Sequence, residues 1–156
     1  MKKLFIKISI FLLIFLFGVL AVVPFNKHYE SKVWMKSLED NTQIVDLSIP
    51  GTHDSGALHN IFDFFGKCQE LTIENQLKVG VRFLDIRLQM RNNEFYVVHS
   101  IIDQKIKFDD CLKVISDFIE NNPTEFIIMS IKKDADTINS TKDFDQTLIE
   151  LLSKND

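Results

Sequence analysis

Little in this chain points to a metal centre or to nucleic acid. It holds only two cysteines, Cys68 and Cys111, 43 residues apart. Neither their spacing nor their neighbours fit a metal or redox motif. Export would permit a disulfide, but sequence separation does not say whether the two Cα atoms come close enough. Two unlinked thiols are the expectation. A basic excess is also missing: 18 Lys and Arg stand against 22 Asp and Glu, for a formal charge of −4. The basic residues are scattered, which excludes a nucleic-acid footprint and gives no long-range pull toward an anionic membrane. No internal repeat or low-complexity tract follows the N-terminal segment.

What the sequence does have, first, is an apolar start. Behind Lys2, Lys3 and Lys7, residues 8–25 form 18 positions without a charge. This predicts a signal peptide or an N-terminal membrane anchor over 1–25, just long enough to span a bilayer. Val19-Leu20-Ala21 suits cleavage without being a clean small-x-small site. A polar linker over 26–33 and one domain over 34–156 follow on length. The expected location is outside the cell, secreted or anchored to the outer face of the membrane.

Downstream, periodicity predicts alternating elements. Residues 44–49 read as a strand ending at Pro50-Gly51. Thr72 caps a helix that stops at Gly80. Strands follow over 81–88 and 94–99, separated by a turn at Arg91-Asn92-Asn93. Phe108, Leu112, Ile115, Phe118 and Ile119 form one apolar helical stripe, ended by Asn121-Asn122-Pro123. Residues 126–131 are nearly all apolar, as in a parallel strand buried on both faces. A polar loop over 134–142 leads to a last helix on Phe144, Leu148, Leu151 and Leu152. The aromatic segment 59–69, with Phe62, Phe64 and Phe65, has no clear assignment.

Strands alternating with helices imply an α/β fold with a parallel sheet. The expectation is a TIM-like (β/α)8 barrel, of which four βα units, about the first half, are present. Chemistry in such barrels sits at the C-terminal strand ends. His53, Asp85, Arg87, His99 and Lys132 all fall at or just past the ends of four apolar runs. Parity adds to this. Val81, Phe83, Asp85 and Arg87 share one face, Phe95, Val97 and His99 another, and Ile128, Ser130 and Lys132 a third, each apolar below and ionisable above, as in a barrel interior with a polar rim.

Two histidines, two aspartates and an arginine suit acid–base chemistry on a phosphate ester. A base must take a proton from the attacking oxygen, an acid must protonate the leaving oxygen, and positive charge must meet the phosphate. Imidazoles suit both proton roles, with an ordinary pKa of about 6.5. A guanidinium can grip two phosphate oxygens. His53, between Gly51-Thr52 and Asp54-Ser55-Gly56, is the candidate base and His99 the candidate acid. Arg87 is the candidate phosphate ligand or, alternatively, the partner of Asp85 or Asp54 in an ion pair that would orient it. Lys132 is a candidate substrate ligand, or half of a solvated Lys132-Lys133 pair. His28 and His59 read as surface or structural residues.

The run Leu47-Ser48-Ile49-Pro50-Gly51-Thr52-His53-Asp54-Ser55-Gly56, with Phe83-Leu84-Asp85-Ile86-Arg87, Tyr96-Val97-Val98-His99 and Asn122-Pro123-Thr124-Glu125 before Ile127-Ile128-Met129-Ser130-Ile131-Lys132-Lys133, resembles the X domain of bacterial phosphatidylinositol-specific phospholipase C over roughly 34–133. The resemblance implies that an inositol hydroxyl attacks the phosphorus, giving a cyclic inositol phosphate and diacylglycerol from a lipid at a membrane surface. It implies His53 as base, His99 as acid assisted by Asp54, Arg87 on the phosphate, Asp85 in support and Lys132 facing inositol. Eukaryotic relatives hold calcium with carboxylates here. Calcium needs several oxygen ligands, and Arg87 would supply positive charge and repel the ion, so no metal and no other cofactor is expected.

A complete barrel takes about 200 residues or more, well beyond the stretch after the leader. The resemblance places a carboxylate that orients the base, and an aromatic that lies on inositol, later than Asp156. The expectation is therefore a partial record of a longer lyase. Alternatives are a non-catalytic fragment, a membrane-tethered binding module, or another barrel phosphodiesterase such as a glycerophosphodiesterase, whose metal-binding carboxylates Arg87 argues against. A short protein of this length would have to dimerise or be inactive.

Overall fold

The computed structural model describes residues 31–59 and 65–154. The predicted leader over 1–25, His28, Phe62 and Phe64 lie outside these residues. Among the described residues, no helix is long and apolar enough to cross a membrane.

The elements, in chain order, are short helical turns at Ser31–Ser37 and Ile44–Asp46, β1 (Gly51–Thr52), α1 (Ile73–Lys78), β2 (Phe83–Arg91), β3 (Glu94–His99), β4 (Ile102–Lys107), α2 (Phe108–Asn121), β5 (Ile128–Lys133) and α3 (Phe144–Leu152). β2 is the central strand. It pairs in parallel with β1 at its start and with β5 from Phe83 to Leu88. Its last residues, Leu88 to Arg91, pair antiparallel with β3, and β4 folds back on β3.

Local chemistry explains several boundaries. Thr72 caps α1 by accepting a hydrogen bond from the Asn75 N–H, which satisfies one of the free donors of a first turn. Gly80 follows that helix at φ +104°, a backbone shape that side chains with a Cβ rarely adopt. Asn92 and Asn93, both at positive φ, make the two-residue turn between β2 and β3. Asp143 caps α3 through the Gln146 N–H.

Four expectations are corrected. Residues 44–49 are not a strand: Ile44 and Val45 are exposed in a helical turn, and ladder pairing with β2 begins only after Pro50. The strand over 94–99 exists but runs antiparallel, and a fifth strand, β4, lies between it and α2. The sheet is thus part of a (β/α) barrel with three parallel strands and a hairpin, in place of four βα units. β2 also runs on to Arg91, so Asp85 and Arg87 lie mid-strand. They sit at the mouth all the same, because β1 stops at Thr52, which pairs with Leu84. Finally, β5 is only half buried, since among the described strands it pairs with β2 alone.

The sheet has one packed face. Leu84, Ile86, Leu88 and Met90 of β2, with Phe95 and Val97 of β3, bury against Ile73, Leu77, Phe108, Leu112, Ile115, Phe118 and Phe144 of the helices. Each such side chain is worth about 1.5–3 kcal/mol. Phe95 and Val97 therefore lie on the helix side, in register with Met90 and Leu88, and not in the barrel interior with His99 as expected. The alternate residues of β2 are left for the other face, where the ionisable groups gather.

Candidate active site

The loop after β1 brings the first two functional side chains in. Asp54 adopts φ +44°, so the chain turns sharply, and the Ser55 N–H bonds back to the Asp85 carbonyl at 2.8 Å. The Ser55 hydroxyl accepts from the Asp85 N–H at 2.9 Å, and Thr52 bonds the fully buried Gln76 of α1 at 2.7 Å. Gln76 in turn donates to the Ser55 carbonyl at 2.8 Å. Gly56 sits so close to β3 that an added Cβ would meet Val97 Cγ1 at 2.6 Å. The loop is pinned to β2, α1 and β3 at once.

Asp85 is the hub. Its Oδ2 lies 3.0 Å from His53 Nδ1 and accepts the Asp54 N–H at 3.2 Å. Arg87 grips it with two prongs, Nε to Oδ1 at 2.7 Å and Nη2 to Oδ2 at 3.0 Å. That grip holds the Asp85 carboxyl below the usual carboxylate range against the opposing effect of burial, with the Asp54 N–H and His53 adding to it. The same bond to Asp85 raises Arg87 above its already high ordinary value. A neutral imidazole has one N–H; given to Asp85 from Nδ1, it leaves His53 Nε2 as the acceptor. Nε2 lies 3.1 Å from Asp54 Oδ2, a contact that needs a proton between the two atoms, and the His53 side chain is 67% exposed.

Asp54 is the buried counterpart, with its side chain only 3% exposed. Its Oδ2 lies 3.5 Å from His99 Nε2, and Arg87 Nε lies 3.8 Å from its Oδ1. Asp54 Oδ1 and His99 Nδ1 are buried without a hydrogen-bond partner among the described residues. His53, Asp54, Asp85, Arg87 and His99 therefore form one cluster. Lys132 joins through a residue that sequence reasoning missed: Asp134 accepts from Lys132 Nζ at 3.1 Å and Arg87 Nη1 at 3.2 Å. Burial works against ionising Asp134, but the Ser100 N–H, at 2.7 Å, together with Lys132 and Arg87, outweighs it and keeps its carboxyl low. Its only sequence signal was its place just past a strand end. Both lysines are exposed, with Lys132 turned to Asp134 and Lys133 over the Phe144 ring. His59 stands apart from the cluster, exposed, with its backbone N–H donating to Gln104 of β4 at 2.7 Å.

Because Asp85 is depressed in the folded chain, its ionised form stabilises the fold above the unfolded value of about 3.9. That contribution is lost as pH falls through the lower folded value. The urea midpoint should drop on acidification below about pH 4, and Asp85→Asn should flatten that acid limb. An acid limb identical in the two proteins would contradict the hub role.

Cys68 is exposed and Cys111 buried, both as free thiols. Burial pushes the Cys111 thiol up to about 12.

The chain as a whole is similar to known proteins. The family model described as phosphatidylinositol-specific phospholipase C, X domain, matches residues 47–155. The 1-phosphatidylinositol phosphodiesterase of Listeria monocytogenes is 31% identical over 135 residues, covering 83% of this chain and 41% of that protein. The Staphylococcus aureus protein of the same name is 32% identical over 127 residues, covering 78% and 41%. A solved structure of the S. aureus phosphatidylinositol-specific phospholipase C, from work on its membrane binding, aligns with TM-score 0.75 at 30% identity, over 81% of this chain and 43% of that one. The chain thus spans about two fifths of the length of these curated relatives.

Proposed function

Because the chain belongs to the X-domain family of phosphatidylinositol-specific phospholipase C, we propose that it carries the acid, base and phosphate-binding residues of a lyase site for phosphatidylinositol. The observation that carries this reading is the placement of Asp85 between His53 and the fork of Arg87, which sets a base and a phosphate ligand side by side. His53 Nε2 takes the proton of an inositol hydroxyl as that oxygen attacks phosphorus. The bond from phosphorus to the glycerol oxygen breaks, and His99 gives that oxygen a proton. The products are a cyclic inositol phosphate and diacylglycerol. His53 then gives its proton to solvent and His99 takes one up, which restores both to their starting states.

Arg87 has five N–H groups. Three go to Asp85 and Asp134, and two remain among the described partners for phosphate oxygens. Asp85 and Asp134 fix the guanidinium, Asp54 faces the acid His99, and Lys132 stands where it would meet the polyol. The substrate is lipid at a membrane surface, reached after export on the segment over 1–25. The linker takes 26–33 and the catalytic part 34–156.

Arg87 takes the place of a cation in this scheme, so activity on phosphatidylinositol vesicles should be unchanged in excess EDTA. Arg87→Lys should lose at least about tenfold in kcat, because a point charge cannot keep both the Asp85 fork and the phosphate contact. Strict calcium dependence, or a fully active lysine variant, would contradict the role given to Arg87.

A further inference from the structure

Beside the proposed catalytic pair lies a group that the reaction does not use. Cys68 Sγ is 3.9 Å from Asp54 Oδ2, and that oxygen is 3.1 Å from His53 Nε2. The three ligand atoms all lie within 4.8 Å of one another. A tetrahedral zinc ion has bonds of about 2.0–2.3 Å to such atoms, which sets its ligands roughly 3.3–3.7 Å apart. Both separations to Asp54 Oδ2 are within half an ångström of that range, and the exposed His53 ring can close the remainder. Two further observations favour a cation. Asp54 is almost fully buried, and while its Oδ1 lies toward Arg87 Nε at 3.8 Å, its Oδ2 is the oxygen that faces Cys68 and His53. The carboxylates of Asp54, Asp85 and Asp134 also outnumber the cations Arg87 and Lys132.

We propose that Cys68, His53 and Asp54 form an inhibitory site for a soft divalent ion, zinc in the first instance, with the fourth position open to water. The inhibitory consequence rests on the functional reading above; the binding site does not. Thiolate and imidazole select zinc over calcium, so such a site is compatible with a reaction that needs no metal. Binding replaces the thiol proton with the metal and releases that proton to solvent, without any redox change. The thiolate is the ligand, so affinity should increase with pH. The bound ion takes the lone pair of His53 Nε2, the same one that would accept the substrate proton. Cys111, closed off in the core, takes no part and serves as an internal control.

The test is a titration of the full chain with zinc, and with cadmium as an absorbing probe, read by the ultraviolet thiolate-to-metal band. One equivalent should bind, and Cys68→Ser should lose the band and at least about tenfold in affinity while Cys111 is still present. On phosphatidylinositol vesicles, zinc should inhibit the wild type reversibly with EDTA, and Cys68→Ser should keep basal activity and resist zinc. Equal binding by the wild type and Cys68→Ser, or no thiolate band, overturns the site. A band without any turnover leaves the site standing and rejects the lyase reading instead.

Discussion

Replacing His53 by alanine should cut turnover of phosphatidylinositol by about 10²–10⁴-fold, the range contributed by a positioned general base. The loss should appear in kcat, because His53 meets the substrate chiefly as a proton acceptor. The variant should fold, since the His53 side chain is 67% exposed and its backbone is held independently: Gln69 bonds its carbonyl at 2.6 Å, and the neighbouring Asp54 N–H bonds Asp85. Added imidazole should restore part of the activity, because the space and the Asp85 carboxylate both remain. A variant with near-normal kcat would remove His53 from the mechanism.

The second large effect concerns stability, and it lies at the opposite end of β2. Arg82 is fully buried, and every one of its N–H groups is bonded. Nε and Nη2 reach Glu125 Oε2 at 2.9 and 2.8 Å. Nη1 serves the carbonyls of Leu77 and Val81 at 2.9 and 2.7 Å, and Nη2 also serves the Lys32 carbonyl. The guanidinium lies 4.6 Å from the Phe118 ring centroid. Glu125 accepts the Met35 N–H at 3.1 Å as well, so one buried pair fastens the turn Ser31–Ser37 to α1, β2 and the start of β5. Glu125→Ala would strand that charge in the core and should cost about 3–5 kcal/mol. The whole stability of a domain is only about 5–15 kcal/mol, so urea unfolding should show a large fall in midpoint. A change under about 1 kcal/mol would mean that water reaches Arg82 and the pair is not the fastening described.

Elements with local signals were legible in the sequence. The stripe of α2, the Thr72 cap, the Gly80 stop and the asparagine turn each depend on residues within a few positions of one another. The misread elements depend on partners. The β-branched residues of 44–49 look like a strand, yet nothing in them reports that the β2 edge is reached only at Gly51. β4 was missed because its buried middle residue is Gln104, which breaks the apolar alternation while bonding His59 and Gly66 across the fold. The direction of β3 could have been read, since two residues between strands allow only an antiparallel hairpin. The site itself was mostly visible, because Asp85 and Arg87 interrupt an apolar strand and His53-Asp54 sits between glycines. Asp134 and Cys68 were not, because only folding brings them to Arg87 and Asp54.

The most direct test is phosphorus NMR of phosphatidylinositol vesicles incubated with the protein in EDTA. The expected result is the signal of a five-membered cyclic inositol phosphate, matched by released diacylglycerol and absent with His53→Ala. Binding to the vesicles with no phosphorus-containing product, or direct release of an open-chain phosphate with no cyclic intermediate, would contradict the assignment of His53, His99 and Arg87 to an intramolecular attack on phosphorus.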